Sequence, residues 1–376
     1  MIIRLTLRRI GLGLAALLLG GLLVGWSGVI YVGASGGHWP VTEWFLHWVM
    51  RNSVRTRALA LEVPDLSGPA LLDRGAGHYA TGCAPCHGAP GERQNPIVQA
   101  SLPPPPEFSK RFDPWKPEEL FRIVQHGVRY SGMPAWVAIE RHDEIWAMVA
   151  FLEKLPRMPQ DEYQRLAFGP EGARQPSSGL IGIGAINTGG PAPPAQEALA
   201  DCARCHGMDG RGRENDAFPV LAGQSEAYLR EALLAFSHGT RHSGLMQPPA
   251  ARADDAILGQ IATHYARQPF APVPHPPAET ALLEEGERIA RQGIPAEGVP
   301  ACLSCHGGAA LARNPSYPAL HGQHASYLEN QLVQWQAGTR GGGPYRDLMG
   351  TIAGRLSPEQ NKAVAAWFAR QDKASD

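Results

Sequence analysis

Three copies of one five-residue pattern constrain this chain more than anything else in it: Cys83-Ala-Pro-Cys86-His87, Cys202-Ala-Arg-Cys205-His206 and Cys302-Leu-Ser-Cys305-His306. Together they use all six cysteines. Two thiols on one helical turn can add across both vinyl groups on one edge of a porphyrin. The next histidine then lies under the ring, so C-x-x-C-H marks c-type haem attachment. A single copy could be a thioredoxin-like thiol pair or half a zinc site. A zinc ribbon brings two pairs together within about 20 residues, whereas a hundred separate the second pair from the third. A disulfide framework gives no reason for a histidine after every pair. The pattern therefore predicts three covalently bound haem c groups on Cys83, Cys86, Cys202, Cys205, Cys302 and Cys305, with His87, His206 and His306 as proximal iron ligands.

The length of 376 residues suggests two or three domains. Charged residues make up 18% of the chain and the net charge is −1, which is not the footprint of a nucleic-acid binder. At the N-terminus Arg4, Arg8 and Arg9 precede an uncharged apolar run from Ile10 to about Gly33. About 20 apolar residues span a bilayer core. A cleaved signal peptide is the alternative, with a weak small-residue cleavage pattern at Val32 and Ala34, but its apolar region is usually about 7–15 residues. We read residues 1–36 as a cytoplasmic N-terminus and a retained transmembrane anchor. The positive-inside rule then exports everything beyond Gly33. The expected location is a bacterial inner membrane, crossed once, with the haem domains in the periplasm.

In residues 37–68, Val41, Trp44, Phe45, Trp48 and Val49 share one helical face. Tryptophan favours the membrane–water boundary, and Arg51, Arg55 and Arg57 would suit headgroups. This segment is either an amphipathic interfacial helix or a helix packed on the first domain. His38 and His47 read as bystanders.

From about Pro69 onward the chain resembles the class I cytochromes c three times over. The elements that carry the likeness are a helix leading into each motif, a methionine segment and an amphipathic closing helix. The resemblance implies an all-α fold: three tandem class I cytochrome c domains behind an N-terminal transmembrane helix. Domain 1 covers 69–160, a Gly/Pro-rich linker 161–195, domain 2 196–270 and domain 3 271–376. The pair LAGQSEAYLREALLAFSHGTR (221–241) and LHGQHASYLENQLVQWQAGTR (320–340) makes domains 2 and 3 a visible repeat. That tandem is similar to the dihaem cytochrome c4 and c553-like families, which implies a rigid face-to-face pair.

The resemblance also supplies distal ligands. Met133, in Ser-Gly-Met-Pro, matches the family position in the first domain, with His126 as its rival. Met246 and Met349 follow the repeated Gly-Thr-Arg. Met208, His238 and His242 compete for the second haem, and His321 and His324 for the third. Pro219, Pro318 and one of Pro103–Pro106 would offer the carbonyl that orients each proximal histidine.

A haem closed by His and Met has no open site for substrate, so its chemistry is electron transfer, and Met/His ligation raises the reduction potential. The expected protein is not an enzyme. It is a membrane-bound trihaem cytochrome relaying electrons in a respiratory chain. Upstream would stand a quinol-oxidising complex, a soluble cytochrome or a dehydrogenase, and downstream a terminal oxidase. A second reading is the cytochrome subunit of a periplasmic alcohol- or sugar-type dehydrogenase passing electrons to quinone. Such subunits usually carry their membrane segment at the C-terminus, where this chain ends in QDKASD. A third reading, a haem peroxidase or nitrite reductase, requires one open haem.

Overall fold

The computed structural model describes residues 6–108, 115–172, 194–213, 215–271, 273–275 and 277–372. Arg4, residues 173–193 of the expected linker and the last four residues lie outside that set. The described residues are helical, with two isolated bridges and no β-strand among them.

The first helix, Leu7–Trp26, is capped by Thr6, whose hydroxyl accepts from Arg9 N. It has no buried residue and is long and apolar enough to cross a membrane. The second, Pro40–Ala58, starts with proline at its first turn, where the missing N–H costs nothing. Its C-terminal half lies on the first domain. Arg55 pairs with Glu119, Arg122 Nε donates to Arg57 O (3.1 Å), and Arg51 sits 5.0 Å over the Trp115 ring. The other half keeps Trp44, Phe45 and Trp48 exposed, with the two tryptophans stacked at 6.2 Å. The C-terminal half thus packs on the first domain, one of the two arrangements expected for this segment.

Domain 1 is built on the crossing of Pro69–His78 with His142–Lys154. A Cβ on Gly75 would lie 2.5 Å from Ala147 O and from Phe151 Cβ, so only glycine permits this approach. Tyr79, Phe121, Ile145, Met148 and Phe151 fill the core behind it. A third helix, Pro117–His126, is capped at its start by Glu119, whose carboxylate accepts from Lys116 N (3.0 Å).

The linker expected at 161–195 starts later than the sequence suggested. Gln160–Gly172 is helical apart from a kink at Gly169, and Tyr163, Leu166 and Ala167 join the core against Pro69–His78. Its apolar residues are separated by charged ones, and the Gly/Pro-rich composition that follows masked the helical period.

Domains 2 and 3 repeat the same construction. Domain 2 uses Ala195–His206, Glu226–Ser237 and Asp255–Ala266, the last two capped by Ser225 and Asp254. Domain 3 uses Thr280–Gln292, Ala325–Gln336, Arg346–Ala353 and Pro358–Ala369, the last opening on a Ser357/Gln360 capping box. Each has its own apolar cluster.

The two repeats meet through a reciprocal exchange. Gln224 Nε2 donates to Ala319 O (2.7 Å) while its Oε1 accepts from Ala319 N (3.0 Å). Gln323 does the same with Val220, both bonds at 2.9 Å. These glutamines are the same residue of the repeat, Gly-Gln at 223–224 and 322–323. The interface is thus self-complementary in the manner of a two-fold dimer.

Domain 1 is also docked, on domain 2. Asp73 pairs with Arg213 and accepts from Asn215, and Arg213 Nη1 also donates to Leu166 O (2.6 Å). Arg141 Nη1 donates to His242 O (2.7 Å), and Asn330 of domain 3 donates to Asp143 (2.9 Å).

Candidate haem sites

The segments that carry the three motifs all face one interior space. A single connected cavity of about 3120 Å³ is lined by all six cysteines, by His87, His206 and His306, and by Met133, Met246 and Met349. The methionines reach it from different local structures. Met133 lies in an irregular stretch before Pro134, Met246 caps Gln247–Arg252, and Met349 sits inside the helix Arg346–Ala353. Among the rivals, His238, His242, His321, His324 and Met208 do not line the cavity. His242 instead faces outward and pairs with Glu140. His126 reaches the cavity wall but is exposed at the end of its helix.

The three motif histidines share one arrangement. His87 Nδ1 bonds Pro106 O at 2.9 Å, His206 Nδ1 bonds Pro219 O at 3.2 Å, and His306 Nδ1 bonds Pro318 O at 2.9 Å. A carbonyl only accepts, so Nδ1 carries the proton and Nε2 keeps its lone pair. Burial lowers the pKa of all three histidines, partly opposed by those carbonyl bonds. Each ring is thereby neutral, aimed and basic at Nε2, as an iron ligand must be. Gln94 Nε2 adds a clamp by donating to Cys86 O (2.6 Å) and Pro105 O (3.0 Å).

The six cysteines are not disulfide-bonded. Burial pushes Cys83 and Cys202 up to about 12 and Cys302 up to about 11. Such thiols are poor thiolate nucleophiles, which argues against a thioredoxin-like role.

Two further residues disclose what the cavity suits. Arg241 and Arg340, the arginines of the repeated Gly-Thr-Arg, both line it across the domain 2–3 interface. Arg241 Nη2 donates to Tyr327 Oη (3.0 Å) and Gln331 Oε1 (2.9 Å), and Arg340 donates to the same Gln331 oxygen and to Tyr228 Oη (3.5 Å). Neither pairs with a carboxylate among the described residues. Burial, then the like charge of Arg241, lowers Arg340 to about 10. Burial raises the Tyr228 phenol, but the two guanidiniums outweigh it and hold it below its ordinary value. A buried cation beside a half-buried one, with no anion, is costly, and a haem with two propionates would bring the missing charge. Thiol pairs, aimed imidazoles, thioethers, apolar walls and unpaired guanidiniums all fit haem.

The comparisons with known proteins agree with that chemistry. Residues 70–152 match the family described as cytochrome C oxidase, cbb3-type, subunit III, and residues 194–264 match the family described as cytochrome c. A thiosulfate dehydrogenase electron acceptor of Thiomonas intermedia is 39% identical over 180 residues, which is 48% of this chain and 81% of that protein. This chain belongs to the c-type cytochromes. The cytochrome c4 of Pseudomonas aeruginosa is 36% identical to it over 192 residues, 50% of this cytochrome and 92% of that one. Reduced recombinant cytochrome c4 from Pseudomonas stutzeri aligns with 30% identity and a TM-score of 0.42, covering 48% of this cytochrome and 99% of that chain. The cytochrome c domains carry covalently bound haem c, and its relatives are electron-transfer proteins.

The structure also places residues at the site that the sequence did not single out. His78 is half-buried on the cavity wall, its ring 4.6 Å from that of Trp136. Burial, then Arg204, lowers its pKa to about 4. Glu144, 2% exposed, accepts from Trp136 Nε1 (3.2 Å). Its place in the acidic first turn of a helix reads as an ordinary favourable charge, and only the docking of domain 2 gives it another role.

Proposed function

We propose that this cytochrome is a membrane-anchored relay carrying three haems, each closed by histidine and methionine. His87 and Met133 would hold the first iron, His206 and Met246 the second, His306 and Met349 the third. Bound haem supplies a one-electron couple. The chain's residues bind it through thioethers, orient the imidazoles through Pro106, Pro219 and Pro318, balance propionate charge with Arg241 and Arg340, and exclude water. The observation that carries this reading is the convergence of three identically tied histidines and three methionines on one cavity. Leu7–Trp26 would anchor the chain in the inner membrane, with the exposed aromatic face of Pro40–Ala58 at the interface and the haem domains in the periplasm. Electrons would enter from a quinol-oxidising complex, a soluble cytochrome or a dehydrogenase, and leave towards a terminal oxidase.

The test is a haem count by pyridine haemochrome on the intact membrane protein, with carbon monoxide added after reduction. Three haems per chain and no carbon monoxide complex are expected. One carbon monoxide-binding haem would mean that a methionine assignment fails and would bring a catalytic haem forward.

The second reading is a cytochrome partner of a periplasmic dehydrogenase. It is favoured by the 39% identity to a thiosulfate dehydrogenase electron acceptor. Rapid reduction of the purified cytochrome by such a dehydrogenase and its substrate, but not by a quinol-oxidising complex, would select it.

A further inference from the structure

Domain 1 touches domain 2 at the second haem-attachment motif itself. Gly77, near the end of the leading helix, has so little clearance that a Cβ there would lie 3.2 Å from Cys205 Sγ and 3.7 Å from Phe218 Cζ. No atom of its own domain stands among those close neighbours. Arg204 Nη2, from within the same motif, donates to Gly77 O (3.3 Å). The next residue, His78, turns its ring onto Trp136, which lies three residues beyond Met133. From Cys205 to the methionine segment of domain 1 there is thus a continuous packed path of three residues.

A clamp holds that path shut. Glu144 accepts from Trp136 Nε1 on the domain 1 side and, on the domain 2 side, from Ser243 Oγ (2.5 Å) and Gly244 N (2.6 Å). Ser243 Oγ in turn accepts from Met246 N (3.0 Å). One buried carboxylate therefore fastens the Met133 segment to the Met246 segment. Its charge is met by Arg141, 2.9 Å away. At Gly244 a Cβ would overlap the Trp136 indole at 2.1 Å, so the two loops are in full contact.

We propose that Gly77, His78 and Trp136 form the contact through which the first and second haem sites exchange electrons, with Glu144 as the positioning residue that holds it closed. This rests on the three-haem reading above. One electron crosses per event: the reduced site in one domain is oxidised, the oxidised site in the other is reduced, and no bond or proton moves. The chain then conducts in the order domain 1, domain 2, domain 3, and the contact between the first two is as fixed as that within the repeat.

Gly77→Leu tests this in the full-length haem-loaded protein, because a Cβ at this position already crowds Cys205 Sγ and Phe218 of domain 2. Glu144→Ala is the second variant, since it opens the clamp without filling space. Three readouts are needed: haem count with the iron–methionine absorption band, amide hydrogen exchange at Gly244 and Met246, and the rate of electron exchange between the first two sites after flash reduction. In both variants we expect an unchanged haem count and methionine band, faster amide exchange, and electron exchange slowed by about an order of magnitude. Faster amide exchange with an unchanged electron rate would overturn the contact as the route. Unchanged amide exchange in Gly77→Leu would overturn the close docking on which it depends. Failure of the three-haem reading would be seen separately, as a low haem count or a missing methionine band in the unsubstituted protein.

Discussion

At the scale of single residues, the site is governed by where charge and protons are held. Each proximal imidazole is fixed by one prolyl carbonyl, and the same three-part device appears with Pro106, Pro219 and Pro318. The two arginines act at longer range. A cation near a haem disfavours the ferric form, which carries one more positive charge, so Arg340 would raise the reduction potential of a haem bound beside it. Arg340→Gln is expected to lower that potential by tens of millivolts, read by spectroelectrochemical titration, with the haem count unchanged. Much of this was legible beforehand. The cysteines and histidines announce themselves by spacing, whereas Met133, Met246, Met349, Pro219 and Pro318 were expected from the family resemblance. Glu144, His78 and Gly77 do not, because each is ordinary within its own helix. Their roles exist only once a second domain, over a hundred residues away, is laid against them.

At the scale of elements, helix ends follow local chemistry: Glu119 caps the start of Pro117–His126, and Ser357 with Gln360 caps Pro358–Ala369. Gln160–Gly172 was hidden, since its amphipathic face becomes meaningful only against Pro69–His78. Between domains 2 and 3 the repeated Gly-Gln is the decisive element. Each glutamine side chain replaces a missing backbone partner with one donor and one acceptor. Removing both would leave buried amides and carbonyls unpaired at about 1–3 kcal/mol per group. Four backbone groups lose their partners, so Gln224→Ala with Gln323→Ala should cost about 4 kcal/mol or more of stability in chemical denaturation. Amide exchange at Val220 and Ala319 should quicken in step. If stability falls without any change at those amides, the glutamines act elsewhere.

At the scale of the whole molecule, the relevant quantity is how the helical packets are tied to one another and to a surface. The second helix joins both tasks, with arginines engaged by domain 1 and tryptophans facing outward. A variant in which a cleavable export signal replaces residues 1–36 should leave the membrane fraction and keep its haem count. It should still float weakly with lipid vesicles through Trp44 and Trp48, and Trp44→Ser with Trp48→Ser should abolish that residual binding. Flotation that survives both serine substitutions would assign membrane contact to another surface. The domain count was visible in the three motifs, but the fixed seat of domain 1 on domain 2 was not. A Gly/Pro-rich connection suggested independence, and the ion pair of Asp73 with Arg213 is invisible to any local reading.

The near-contact of Gly77 with Cys205 has a consequence for how the molecule is made. Once the first domain has settled, that thiol is covered on one side and opens only to the interior. We therefore expect porphyrin to be joined at the second motif before the first packet settles over it, so that attachment precedes docking.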